Sequence, residues 1–179
     1  MLAITDLHPD DTAARDRIAA QLHGIRVAAG VSQRALAARL HVTQRRVAVL
    51  EHNRSWEART VQGWARAFGH RLTLTIVGLV VPDDGDALAA VYDQQHPASP
   101  AEEDQLALRR VVNDLARIRR RRMSAHRFGQ ILGRCESSIL QREDNPDGTR
   151  LATVQQTARA LGGRLDVGLA PVGVSCAAV

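Results

Sequence analysis

Apolar residues recur along this chain at helical spacing in several short runs, most of them opened by a residue suited to capping a helix. Ile18, Leu22 and Ile25 form one such stripe, with Thr12 as its expected N-cap and Gly30 as its stop. Ser32 is placed to cap a second helix ending near Leu40, Thr43 a third from Gln44 to about His52, and Thr60 a fourth closed by Gly69. From Arg71 to Val77 the pattern changes to strict alternation with β-branched residues, which predicts a strand. Further on, Ser99-Pro-Ala-Glu102 combines an N-cap, a proline at the first helical position and a capping-box glutamate, opening a long helix to about Arg122. Ser124 caps the next helix, Cys135 or Glu136 opens another, Thr149 or Thr153 starts the last, and Gly162-Gly163 ends it before a strand from Arg164 to Leu169. Between the two sets lie a turn at Pro82–Gly85, a helix over 86–95 and a break at His96–Pro100.

The two sets are copies of one another. Residues 60–72 and 153–165 are identical at nine of thirteen positions, at an offset of 93. Upstream, Ser32, Leu36, Ala37, Leu40, Val47 and Glu51 match Ser124, Phe128, Gly129, Leu132, Ile139 and Glu143 at an offset of 92. The chain therefore reads as a duplication, mainly α: two tandem helix-turn-helix helical domains, each followed by a short β-strand, with a helical connector. The expected limits are 1–80, 81–105 and 106–179.

Composition narrows the classes. The chain is 45% hydrophobic but only 3% aromatic, so its cores are expected to be aliphatic. No apolar run approaches the roughly 18 residues of a membrane span, and no signal-like start is visible, which gives a cytoplasmic expectation with no membrane partner. Two cysteines, Cys135 and Cys176, are too few for a disulfide framework or zinc cluster, and His41 and His52 lack companion ligands, so no metal and no cofactor is expected. All 24 basic residues are arginine, which fits GC-rich coding and is not itself functional evidence. Their distribution is informative. Residues 1–80 hold 11 Arg against 6 acids, 81–105 hold none against 7, and 106–179 hold 13 against 6. Two basic modules flanking an acidic connector fit a polyanionic partner for the modules alone.

Residues 32–51 carry the chemistry. Ser32-Gln33-x-x-Leu36-Ala37 followed by Val42-Thr43-Gln44-x-x-Val47-x-x-Leu50-Glu51 resembles the helix-turn-helix of the Cro/repressor family, with His41 where that family usually has a turn glycine. The resemblance implies that the third helix enters the DNA major groove by its N-terminal residues. Gln44 and Arg45 are then the expected base readers, for adenine and guanine edges, and Val49 is within reach of a thymine methyl. Arg46, Gln33, Thr43 and Arg54 are expected on phosphates. In the second copy Ser137, Ser138 and Gln141 are the corresponding base readers, and Arg121, Arg122, Arg134 and Arg142 the phosphate contacts. The run Arg119–Arg122 is read as a phosphate anchor. Glu136 would meet phosphate repulsion unless it accepts from a cytosine, and Arg142 stands where the first copy has a core leucine, Leu50.

Because the two recognition helices differ, one chain is expected to read an asymmetric double-stranded DNA site as a monomer. The strands 71–77 and 164–169 are expected to pair either with each other or with another molecule, the latter giving a dimer. The arrangement is similar to the immunity repressors of temperate mycobacteriophages, which implies a repressor of lytic promoters that also binds asymmetric stoperator sites and so maintains lysogeny. Without lysine, the Ser/Lys self-cleavage of lambda-type repressors is not expected. Other readings are an antitoxin-type or host regulator, with the connector as the toxin-binding segment, and a non-DNA adaptor. No enzymatic motif rises above background.

Overall fold

The computed structural model describes residues 8–52, 57–83 and 87–172. The chain is mainly helical, with a two-stranded antiparallel sheet. Its elements are α1 (Pro9–Ala28), α2 (Gln33–Arg39), α3 (Gln44–Glu51), α4 (Ala58–Ala67), β1 (His70–Val77), α5 (Ala87–Gln94), α6 (Pro100–Arg122), α7 (Ala125–Leu132), α8 (Glu136–Asp144), α9 (Leu151–Ala160) and β2 (Arg164–Pro171). A 3-10 turn over Pro146–Gly148 precedes α9. Among the described residues no helix is long and apolar enough to cross a membrane.

Local capping explains several boundaries. Ser32, Thr43, Ser99 and Ser124 each accept a bond from the backbone N–H three residues on, satisfying an otherwise orphaned donor. Glu102 returns a bond to the N–H of Ala98 rather than that of Ser99, so the capping box is displaced by one residue. Three expected starts are corrected. Thr12 lies inside α1, which begins at Pro9 with the His8 ring accepting from Asp10 N–H. Thr60 lies inside α4, and neither Thr149 nor Thr153 caps α9. Helices α4 and α9 start instead after Glu57 and Arg150, whose backbones bridge to each other, so a tertiary contact holds both starts.

The turns between α2 and α3 and between α7 and α8 are the same Schellman motif. Val42 N–H donates to Ala37 O at 3.0 Å, and Arg134 N–H to Gly129 O at 2.8 Å. The motif requires a left-handed residue, which is Gly133 (φ 63°) in the second half and His41 (φ 52°) in the first. The departure expected from the missing turn glycine is therefore energetic, not geometric. The second helix pair also sits closer: a methyl group on Gly129 would lie 2.5 Å from Arg134 O, whereas its counterpart Ala37 fits.

Strands β1 and β2 pair with each other inside the chain. Leu72 faces Leu169, Leu74 faces Val167, and Ile76 faces Leu165. Leu165 is the repeat counterpart of Leu72, and Leu169 that of Ile76, so exchanging the halves leaves the register unchanged. Leu74 and Val167, counterparts of one another, sit on the dyad of that exchange. The bridge between Glu57 and Arg150, also counterparts, obeys the same symmetry.

Side chains repeat the exchange. Gln62 Nε2 donates to Asp104 O at 2.8 Å, and its counterpart Gln155 Nε2 to Asp11 O at 3.2 Å. Arg66 pairs with the Asp104 carboxylate, while Arg159 Nε donates to both Asp11 oxygens at 3.2 Å. Reciprocity of this kind defines a two-fold interface, here formed within one polypeptide. The buried apolar residues accordingly form one cluster drawing on both halves, from Ile18, Leu36 and Trp64 to Leu115, Phe128 and Leu165. Helix α6 runs unbroken through residues 105 and 106. The preceding stretch is tied to it by bonds from Arg117 to Pro82 O and from Arg110 to Tyr92 O.

The core is symmetric in frame but not in filling. Trp64 is fully buried, and its counterpart is Thr157. A cavity of about 40 Å³ opens there, lined by residues including Phe128, Ile139 and Thr157. Truncating Trp64 to Ala should cost about 3–5 kcal/mol, the usual loss for a buried aromatic. His41→Gly should stabilise by about 1 kcal/mol, because glycine relieves the left-handed strain. Urea unfolding of the full chain measures both, and an unchanged or lower midpoint for His41→Gly would contradict the second.

Candidate nucleic-acid interface

Burial fixes which face of each helix pair is presented. In the first half Leu36, Ala37, Val47 and Leu50 are buried, locking α2 against α3. With Val47 and Leu50 turned inward, Gln44 and Arg45 are exposed at the N-terminal end of α3 and Val49 is half-buried. Thr43 accepts from Arg46 N–H at 3.2 Å and so serves as the helix cap. Two expected phosphate contacts have partners within the chain. Arg46 pairs with Glu57 at 2.5 Å, and Gln33 Nε2 donates to Glu51 Oε2 at 2.6 Å. Arg54 lies outside the described residues.

Glu51 is the hub of this half. Its buried carboxylate also accepts from Arg26 Nε at 2.6 Å, and Arg26 Nη1 donates to Val31 O at 2.8 Å. The end of α1, the start of α2 and the end of α3 are thus tied at one point. The second half repeats the device. Arg119 donates Nε to Glu143 Oε1 at 2.9 Å and Nη2 to Oε2 at 2.5 Å, and Nη1 reaches Met123 O at 3.5 Å. Such fork-to-carboxylate geometry is among the strongest available to side chains.

That pairing engages part of the arginine run expected on phosphates inside the protein. Arg119 is buried in its ion pair, Arg120 stands 3.8 Å from Glu143, and Arg122 Nη1 donates to Leu161 O. Arg121 is exposed near the end of α6. On α8, Ser137 and Gln141 are exposed, and Ser137 Oγ lies 3.3 Å from Cys135 Sγ. Ser138 Oγ accepts from Arg142 Nη2 at 3.0 Å, so both are engaged on their own helix. Glu136 is exposed, 3.8 Å from His126. Arg134 Nη2 reaches Gln156 Oε1 at 3.3 Å.

The structure thus leaves Gln44 and Arg45 of the first half, and Ser137 and Gln141 of the second, at the surface of their helices. It also adds residues that the reading of the sequence passed over. Glu51 and Glu143 are repeat counterparts 92 residues apart, and Arg26 and Arg119 stand 93 apart at the ends of α1 and α6, the junction after the long helix being one residue shorter in the second half, so the duplication carried the signal for the clamp. Asp11 and Asp104 carried it too, each 93 residues from the other. Burial pushes the Asp104 carboxyl up, against the bond and charge of Arg66.

At Glu51, burial opposes ionisation, but the bonds from Arg26 and Gln33 and the Arg26 charge outweigh it and hold the carboxyl below its usual pKa. A depressed pKa contributes stability that is present above the unfolded value and lost as pH falls through the folded one. Glu51→Ala, which leaves Arg26 buried without its carboxylate, should cost about 3–5 kcal/mol at neutral pH. The deficit should shrink as pH falls below the ordinary carboxylate range, as read by denaturant unfolding across pH. A pH-independent deficit would assign the loss to packing alone. No protein-family model, curated protein or solved structure matches this chain.

Proposed function

We propose that the chain is a sequence-specific double-stranded DNA-binding transcriptional repressor that reads one asymmetric site with two unlike helix-turn-helix units. The observation that carries this reading is the pairing of a shared frame with divergent faces. The contacts between the halves are reciprocal, while the exposed ends of α3 and α8 differ, Gln44-Arg45 against Glu136-Ser137. A two-fold arrangement of readers matches inverted half-sites on DNA, since the duplex backbone has its own local dyads. Unlike readers make those half-sites unlike in sequence.

In this reading α3 lies in the major groove, with Arg45 toward a guanine and Gln44 toward an adenine. Val49 is placed for a thymine methyl. Ser137 and Gln141 read the second half-site about one helical turn away. Thr43, Arg121, Arg134 and Arg142 meet phosphates and fix register. The internal bonds of Arg46 and Gln33 make these two positioning residues for α3 before they are DNA contacts. One chain fills one site, because the two-fold that other repressors obtain by dimerising is already present. The biological role that fits is phage immunity, with repression of lytic promoters and occupancy of further stoperator-like sites in a bacterial cytoplasm.

Selection of bound duplexes from a random pool, using the full chain, tests the proposal. The expected product is a bipartite site with two different inverted half-sites, bound one chain per duplex in sedimentation. A perfect palindrome bound by two chains, or no enrichment at all, would count against it. On the selected site, Arg45→Ala should relax preference at one position by about 1–3 kcal/mol. Arg121→Ala should weaken all sequences alike and lower the salt slope by about one unit.

A further inference from the structure

One cleft in the second half differs in chemistry from the rest of the surface. It has a volume of about 430 Å³, lies beside α8 and the start of α9, and is lined by Arg134, Gln141, Arg142, Asn145, Thr149 and Arg150 among others. Three lining residues are arginines, and none is acidic. Several engaged arginines elsewhere sit against carboxylates, as in Arg26 with Glu51, Arg109 with Asp147 and Arg159 with Asp11, while Arg110 and Arg122 reach backbone carbonyls and do not converge on one cleft. Here, among the described residues, Arg134 is bonded to Gln156 Oε1 and Arg142 to Ser138 Oγ, both neutral partners. Burial, and then the charge of Arg134, hold the half-buried Arg142 below its ordinary pKa against a smaller opposing influence of Cys135. Thr149 at the cleft floor is 7% exposed, and its hydroxyl has no hydrogen-bond partner.

The repeat supplies an internal control. The counterparts of Arg134, Arg142 and Arg150 in the first half are Val42, Leu50 and Glu57. Where the first half has two apolar positions and one acidic position, the second has an arginine at each. At one of them the counterpart, Leu50, is part of the buried core. Generic surface basicity would not converge on one concavity.

We infer that this cleft is a binding site for a phosphate group. Arg134, Arg142 and Arg150 supply the positive charge, and the side-chain amides of Gln141 and Asn145 supply neutral donors. Guanidinium groups suit this role because their planar donor forks match phosphate oxygens. The cleft exceeds the size of one phosphate, leaving room for what the phosphate is attached to. Two sources share the chemistry, a backbone phosphodiester of bound DNA and a free phosphorylated ligand. The site deepens the DNA reading, which already places Arg134 and Arg142 on phosphates, but the clustered charge exists in the protein alone and is testable without DNA.

The test is a titration of the full chain with inorganic phosphate at constant ionic strength, read by phosphorus-31 line broadening. A saturable response is expected, and the combined variant Arg134→Ala, Arg150→Ala should weaken it at least about tenfold, the loss of roughly one charge-assisted bond. Arg150→Glu, which restores the first-half residue, should weaken it as well. Arg34→Ala with Arg127→Ala removes equal charge elsewhere and should leave it within about twofold. No saturable response, or equal weakening by the control pair, overturns the inference. Adding a selected duplex then identifies the source: release of phosphate assigns the site to the DNA backbone, and retention assigns it to a separate ligand. If no duplex binds, the DNA reading fails while the phosphate titration still decides this site.

Discussion

Neither half of this protein can satisfy its own polar groups or cover its own strand. Strand β1 alone would be a single exposed edge, and a bare two-stranded ribbon is marginal in water. Pairing with β2 supplies the backbone bonds, and the helices cover one face through Leu72, Leu74, Ile76, Leu165 and Val167. Asp11 and Asp104 are buried, and each receives its arginine and its glutamine bond from the opposite half. Separating the halves would break both carboxylate–arginine pairs and expose a continuous apolar cluster, and the second carries a large free-energy cost. The relative placement of the two candidate readers follows from this one set of reciprocal contacts.

Reciprocity also explains where the halves have diverged. A contact made twice across a dyad ties a residue in one copy to a residue in the other, so a change at Gln62 or Arg66 breaks a bond that the opposite half needs. Positions away from the dyad carry no such tie. There Trp64 corresponds to Thr157, Leu50 to Arg142, His41 to Gly133 and Ala37 to Gly129. The contacts across the dyad are held in common while positions away from it differ, both in the core and at the exposed starts of α3 and α8.

The clamps at Glu51 and Glu143 connect that frame to the candidate DNA surface. Each ties the end of α3 or α8 to the end of the preceding long helix, α1 or α6. The placement of α3 and α8 is thereby set by buried ion pairs as well as by apolar packing. Helices held this firmly would lose little conformational freedom on binding a partner. Arg46 and Gln33, which the sequence pattern places among phosphate contacts, belong to the same positioning system.

The sequence by itself determined the helices, the strands and the duplication. Periodicity and Ser/Thr caps are local, so the starts at Ser32, Thr43, Ser99 and Ser124 were legible, as was the exposure of Gln44 and Arg45 opposite Val47 and Leu50. Other starts were not: α1 begins ahead of Thr12 under a His8 cap, α4 begins ahead of Thr60 and α9 between Thr149 and Thr153, and for α4 and α9 the backbone bridge from Glu57 to Arg150 takes the place of a cap. The division of labour within the arginine run was hidden for the same reason. Nothing local distinguishes Arg119, buried against a glutamate 24 residues on, from Arg121 at the surface. Only the tertiary structure decided that the strands pair within the chain, that the halves share one core about a dyad, and that Arg134, Arg142 and Arg150 meet in one cleft. Those facts depend on residues far apart in sequence being brought within bonding distance, and no pattern confined to a window of the chain carries that information.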